Sequence, residues 1–133
     1  ADMITGFPGE TEADQAAAVA FLEQVGFAAV HVFPYSRRPG TKADAMPEQL
    51  SHAVKSARAH EAQRVADACK QRYLVQQVGQ TLPVLFETEH DGSWVGHSDN
   101  YCLVRAAGDD LRGLVKNVKI SAVSGQMLVG DLV

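Results

Sequence analysis

Tyr35, Arg37 and Arg38 stand close together in residues 30–43, VHVFPYSRRPGTKA. An aromatic ring beside two guanidinium groups joins a stacking surface to bidentate phosphate donors, the combination that single-stranded RNA recognition uses. The competing reading is that one arginine pairs with a nearby carboxylate while the other is solvated. A second set lies in residues 96–104, GHSDNYCLV, and further on. Asn100 could meet a base edge, Tyr101 could stack, and Lys119 with Lys116 could form a small basic edge. Asn100 reads equally well as a turn residue and Tyr101 as a core aromatic. His31 reads as a satisfied strand histidine, and His52, His60, His90 and His97 lack metal-ligand spacing. Cys69 and Cys102 are isolated in sequence, so neither a metal site nor a disulfide framework can be read from them. The residue pattern predicts no catalytic residue and no metal ligand.

The elements that must position these groups follow from pattern. Val30 to Phe33 is a short apolar run that stops at Pro34, and Pro39-Gly40 demands a turn. This reads as a buried strand over residues 27–33 that runs into a working loop. In α/β architectures the carboxyl ends of strands are where ligands meet side chains. Upstream, residues 1–5 read as the end of a strand, followed by the turn Gly6-Phe7-Pro8-Gly9. Thr11 with Asp14 makes a box-like cap, and Ala18, Phe21, Leu22 and Val25 recur at helical spacing before Gly26, which is placed to end the helix. Strand, helix, strand is a βαβ unit with parallel strands. From Pro47 to about Gln76 there is no further Gly or Pro, which predicts one long helix with Leu50, Val54, Ala57, Glu61, Val65 and Ala68/Cys69 as its inner stripe. Lys55, Arg58, Arg64, Lys70 and Arg72 fall on its other faces, as a solvated exterior or a phosphate-facing surface.

After Gly79 the period changes to alternation. Residues 82–87, 93–98, 100–107, 114–123 and 127–133 read as five short strands, with turn signals at Asp91-Gly92, Asp109-Asp110 and Ser124-Gly125. Five such strands predict a small antiparallel barrel. The fold class is therefore α/β followed by all-β, with residues 1–76 and 77–133 as the two parts.

Composition sets the outer limits. The chain has 133 residues, 46% of them hydrophobic, and a net charge of −4, which is a globular composition. The charge is unevenly spread: between Arg37 and Arg72 eight Lys and Arg face four carboxylates, whereas residues 77–133 carry four basic and seven acidic side chains, a balance of −3. An acidic barrel opposes a phosphate-binding surface on that part. No apolar run approaches a membrane span, no signal peptide opens the chain, and a reducing cytoplasmic setting with no membrane partner is expected.

Taken in order, DMITGFPGETEAD, VHVFPYSRRPGTKA, the pair Lys55 and Arg58 on the long helix, and LFETEHDGSWVGHSDNYCLV resemble the radical-SAM methylthiotransferases. The match covers nearly the whole chain. The resemblance implies the C-terminal part of a radical-SAM partial TIM barrel followed by a TRAM domain, a small OB-like β-barrel that recognises substrate. Residues 31–36 and 96–101 look most like the branch that methylthiolates threonylcarbamoyladenosine beside the anticodon of tRNA.

The same resemblance implies S-adenosyl-L-methionine and 4Fe–4S clusters as cofactors of the complete enzyme, and the anticodon loop of tRNA as its partner. On these residues it implies Asp2, Ile4 and Gly6 at the S-adenosyl-L-methionine pocket, with Asp2 accepting from a ribose hydroxyl, Ile4 packing on adenine and Gly6 allowing close approach. Ile4 reads as readily as a core strand residue and Gly6 as a turn glycine. Tyr35, Arg37, Arg38, Asn100, Tyr101 and Lys119 are the implied RNA contacts. The family's cluster-binding cysteines have no counterpart here. The expectation is a C-terminal fragment, inert by itself, with no cofactor bound and able to dimerise through an exposed strand edge. Two other readings stand: an RNA-binding barrel module without catalytic duty, and a fragment of the branch that modifies a ribosomal protein, which the acidic barrel would suit.

Overall fold

A computed structural model describes all of residues 1–133, and the chain divides into two compact units, Ala1–Lys70 and Gln71–Val133. In the first unit, β1 (Asp2–Thr5) and β2 (His31–Pro34) pair in parallel, with Ile4 opposite Phe33 and Thr5 opposite Pro34. Helix α1 (Glu12–Val25) makes the crossover. Its start is set by the sequence as read: Thr11 accepts from the Asp14 amide while the Asp14 carboxylate takes both the Thr11 amide and hydroxyl. Those bonds hold the Asp14 carboxyl below the usual carboxylate range. Gly26 ends the helix in the left-handed conformation, at φ 67°.

Burial, backbone geometry and capping correct three expectations. β2 begins at His31 rather than Phe27, and it is not a buried strand: His31, Phe33 and Pro34 are exposed. The reason is that β1 and β2 form a two-stranded sheet, and only one of its faces, that of Thr5, is covered. On α1 the buried positions are Gln15 and Leu22, whereas Phe21 and Val25 are exposed. The long helix α3 spans His52–Gln77 and does not start at Pro47. Glu48 sits at φ 59°, outside helical space, and the Ser51 hydroxyl accepts from the Val54 amide, so the N-terminal cap falls at Ser51. A four-residue helix, α2 (Lys42–Ala45), fills part of the intervening stretch.

The inner stripe of α3 holds at Cys69, as read, but in the turns before it the buried positions are shifted by one. Ala62, Ala66 and Cys69 are buried, while Ala57, Glu61 and Ala68 are exposed and Val65 is half-buried. Small alanines let α1 approach closely, and the Cys69 thiol lies 3.6 Å from the Leu22 carbonyl oxygen. Arg58, read as part of a solvated exterior, is instead largely buried against Glu10.

In the second unit, β3 (Thr81–His90), β4 (Ser93–Ser98), β5 (Leu103–Ala107), β6 (Val115–Ser124) and β7 (Met127–Leu132) close a barrel in the order β3-β4-β5-β7-β6. The Asp91-Gly92 hairpin forms as the sequence predicts, both residues at positive φ. One pairing departs from the all-antiparallel expectation: β5 and β7 run parallel. Residues 100–102 precede β5 rather than belonging to it. Alternation places Val84, Phe86, Trp94, Val104, Ala106, Val118, Ile120 and Leu128 inside, and Leu74 near the end of α3 joins this core. Each fully buried Val, Leu, Ile or Phe side chain in this core contributes about 1.5–3 kcal/mol. Gly96 faces the backbone of Leu85 so closely that a Cβ there would lie 1.9 Å from its carbonyl oxygen.

Candidate functional site

Two clefts, one in each unit, hold four of the nine residues that the sequence singles out: Ile4, Tyr35 and Arg38 in the first unit and Tyr101 in the second. In the first unit the loop after β2 is shaped by its own polar groups. The Arg38 carbonyl accepts from both the amide and the hydroxyl of Thr41, and Thr41 in turn caps α2 by accepting from the Asp44 amide. Gly40, at φ 85°, supplies the turn that Pro39-Gly40 announces.

This fold separates the two arginines. Arg37 turns back on α2, with Nε 2.6 Å from Asp44 Oδ1 and Nη2 donating to the Asp44 carbonyl at 2.9 Å. The bond to Asp44 and its charge raise the Arg37 pKa further above its ordinary value. Arg38 has no ion-pair partner and lines a cleft of about 430 Å³ with Ile4, Phe33, Tyr35 and Thr41. Tyr35 is fixed there by an edge contact with Phe7, centroids 5.2 Å apart, and by the Lys55 ammonium 5.6 Å from its ring centroid. Its hydroxyl is buried without a hydrogen-bond partner in the protein, so the part of Tyr35 that faces the cleft is its ring.

Of the three residues at the strand start, Asp2 and Ile4 share one face of β1 and Gly6 is set apart. Asp2 is exposed at the first position of β1, and Ile4 is 57% exposed on the uncovered face of the sheet, so Ile4 is not a core residue in this unit. Gly6 is buried at φ 70°, and the space its Cβ would take is filled by Lys55 Cγ at 2.4 Å. Its close approach is therefore to α3. Sequence reasoning missed Phe7, Lys55, Glu10 and Arg58 as the supports of this loop region. The Gly-x-x-Gly turn was the available signal, since a glycine at positive φ often marks a close neighbour.

In the second unit a cleft of about 460 Å³ lies on the outer face of the barrel, over Pro83, Leu85 and Val115, with Glu87, Asp99 and Tyr101 around it. His97 also lines it and sits 2.6 Å from Glu87 through Nδ1. Tyr101 is 88% exposed, so it is not a core aromatic. Asn100 is committed to the turn: its amide nitrogen donates to the Tyr73 hydroxyl and Gln77, and its oxygen accepts from Ser98 at 2.6 Å. Lys119 lies elsewhere, its ammonium donating to the Gly79 carbonyl.

No three His, Cys, Asp or Glu side chains gather closely enough to hold a metal ion. The two cysteines are buried in different units. The donor set does not fit an iron–sulfur cluster. No helix is long and apolar enough to cross a membrane.

No family model matches the chain. Over 90% of its length it is 37% identical to a protein of Bacillus subtilis (strain 168) named threonylcarbamoyladenosine tRNA methylthiotransferase MtaB, of which it covers 28%. It is 40% identical over 98% of its length to a protein of Maricaulis maris (strain MCS10) named tRNA-2-methylthio-N(6)-dimethylallyladenosine synthase, covering 29% of it. A protein of the same name from Campylobacter jejuni is 37% identical over 99% of the chain, which covers 31% of that relative. The chain thus spans less than a third of the length of these curated relatives, and the matches include two kinds of modified adenosine.

Proposed function

We propose, for a chain that belongs to the MiaB/RimO/MtaB family of tRNA methylthiotransferases, that it supplies substrate contacts and one side of the S-adenosyl-L-methionine pocket to a radical-SAM enzyme. The whole enzyme adds a methylthio group to carbon 2 of an adenosine beside the anticodon, with threonylcarbamoyladenosine as the favoured substrate. In this reading residues 1–76 are the end of a partial TIM barrel and residues 77–133 are a TRAM domain. The five-stranded closed barrel and the parallel β1–β2 pair support that division.

The residues have distinct tasks. Ile4 and Asp2, exposed on the uncovered sheet face, pack on adenine and accept from a ribose hydroxyl of the cofactor. Arg38 takes an RNA phosphate, and the half-buried ring of Tyr35 beside it gives the bound substrate an aromatic surface. Gly6 serves the packing of Lys55. Bound clusters would supply the radical chemistry, and their ligands lie in the part of the relatives that this chain does not span; the chain alone is therefore inactive. The uncovered edges of the two-stranded sheet favour self-association of the isolated chain, which sedimentation would read as a dimer.

The observation that carries this reading is Arg38, a guanidinium without an ion-pair partner in a cleft beside Tyr35 and Ile4. The test is binding of this chain to an unmodified tRNA that reads codons beginning with adenosine, beside a control tRNA, from about 50 to about 200 mM salt. Affinity should fall with salt, and Arg38→Ala should lower both affinity and salt slope, the latter by about 0.7 if the contact is to single-stranded phosphate. Equal binding of both tRNAs, or an unaltered slope in the variant, would reject it. One observation favours a second reading, the ribosomal-protein branch: the barrel's balance of −3 suits a basic protein surface better than phosphate. Preference for that protein over tRNA would establish it.

A further inference from the structure

The barrel cleft is built in a way that phosphate recognition does not explain. Its floor is an outward row across three strands: Val115 pairs with Leu85, and Leu85 pairs with His97. Leu85 is 42% exposed and Val115 is 62% exposed. The ring of Tyr101 stands beside this floor, held on a backbone at φ 60°. An aromatic residue in left-handed space is strained, and burial of the ring does not compensate for it.

What maintains that backbone is a closed set of hydrogen bonds. Ser98 donates to Asn100, accepts from the Cys102 amide at 3.0 Å, and its carbonyl accepts from the Tyr101 amide at 3.0 Å. Asn100 is tied in turn to Tyr73 and Gln77. The turn is rigid and its product is an exposed ring.

The charges at the cleft select what can sit on the ring. Glu87 and Asp99 line it, and no lysine or arginine does. Glu87 is engaged by His97, whereas the Asp99 carboxylate makes no hydrogen bond within the protein. A phosphate would meet two carboxylates here. A nucleobase would meet a stacking surface, an apolar floor and an acceptor pair for its N–H groups. Guanine fits best, because its N1–H and exocyclic amine are parallel donors that match both oxygens of one carboxylate. Uracil, with no exocyclic amine, fits least.

We infer that the cleft beside Tyr101 is a base-reading subsite that takes one unpaired nucleobase, guanine in preference to uracil, stacked on Tyr101 with its donor edge on Asp99. This rests on the RNA reading above and gives the barrel a task that its acidity permits, contact without phosphate neutralisation.

The test titrates the whole chain with pentaribonucleotides UUGUU and UUUUU, and with a version of the first that is abasic at its centre. UUGUU should bind most tightly. Tyr101→Ala should weaken it roughly 5- to 150-fold, the range for loss of one base–aromatic stack, without altering the salt slope. Tyr101→Asn, better suited to left-handed φ, guards against a backbone effect and should give the same loss. Asp99→Asn should erase the preference for guanine over uracil. If the oligonucleotides bind alike and both Tyr101 variants match the parent, the subsite is refuted. Tyr101 and Arg38 separate the two proposals. Binding of tRNA that depends on Arg38 but not on Tyr101 overturns this inference alone, and binding of no RNA overturns both.

Discussion

Arg58 of α3 reaches the loop after β1 and meets Glu10 twice, its Nη1 lying 2.6 Å from the carboxylate and 2.9 Å from the backbone carbonyl. The same carboxylate oxygen accepts from the Gly6 amide at 2.9 Å, so one acid fixes both the turn and the helix. The two side chains are only 11% and 15% exposed, which removes most solvent screening.

Arg58→Ala should therefore destabilise the first unit by about 3 kcal/mol, because it leaves the Glu10 carboxylate largely buried with one donor lost. Arg58→Lys should recover only part of this. Both bonds leave the single nitrogen Nη1, which an ammonium could mimic, but the lysine side chain is one bond shorter and falls short of Glu10. Chemical denaturation of the three proteins, monitored by far-UV circular dichroism, checks the order. A loss below about 1 kcal/mol in Arg58→Ala would put this pair in the class of exposed ion pairs.

The cap of α1 gives a pH prediction with a definite sign. The Asp14 pKa is lowered in the folded chain by its bonds to Thr11. A depressed carboxylate contributes stability above its unfolded value, and the contribution disappears as pH falls through the lowered folded value. The stability difference between the parent and Asp14→Asn should be constant from about pH 7 to about pH 5 and shrink at lower pH, as the parent carboxylate is protonated. Thr11→Ala should cost about 1 kcal/mol at neutral pH. A parent–variant difference that grows on acidification would contradict the assignment.

Gly96 and Gly6 make a pair of contrasting substitutions. At Gly96 the obstruction to a Cβ is backbone, the Leu85 carbonyl at 1.9 Å, in a strand that cannot move without opening the barrel. Gly96→Ala should cost about 3 kcal/mol or prevent closure. At Gly6 the nearest atom is Lys55 Cγ, close to the α3 backbone, whose Cα would lie 3.1 Å away, so a displacement of Lys55 adds to the left-handed φ penalty of about 1–2 kcal/mol in Gly6→Ala. Thermal unfolding of both variants gives the ranking, and a Gly6 effect larger than the Gly96 effect would reverse this account.

These contrasts also show which parts of the molecule were legible in the sequence. The barrel strands were, because alternation and the Asp91-Gly92 turn act locally; Ser93–Ser98 forms with the predicted ends. The parallel β5–β7 pairing was not, because it follows from closure of the barrel. On α3 the buried stripe runs through alanines, whose apolar signal is weaker than that of Val65 one position away, and Pro47 suggested a helix start that the Ser51 cap displaces. In the loop, residue types pointed to Tyr35 and the two arginines. Their division of labour depends on α2 bringing Asp44 onto Arg37, a contact seven residues apart that periodicity does not reveal.

That division yields the last prediction. Arg37 is held by two hydrogen bonds to Asp44, one to the carboxylate and one to the carbonyl. Substituting Asp44→Ala removes the carboxylate but leaves the carbonyl and the Thr41 cap, so the helix turn persists while the guanidinium loses its charge partner. If the loop contacts RNA, the released Arg37 adds a second phosphate donor beside Arg38. The affinity of Asp44→Ala for tRNA should rise, and its salt slope should steepen by about 0.7. Adding Arg37→Ala to Asp44→Ala should cancel both changes, because the gain runs through that one side chain. A tRNA affinity that is unchanged in Asp44→Ala, with the fold intact by circular dichroism, would mean that the phosphate path passes Arg38 and leaves Arg37 out of reach.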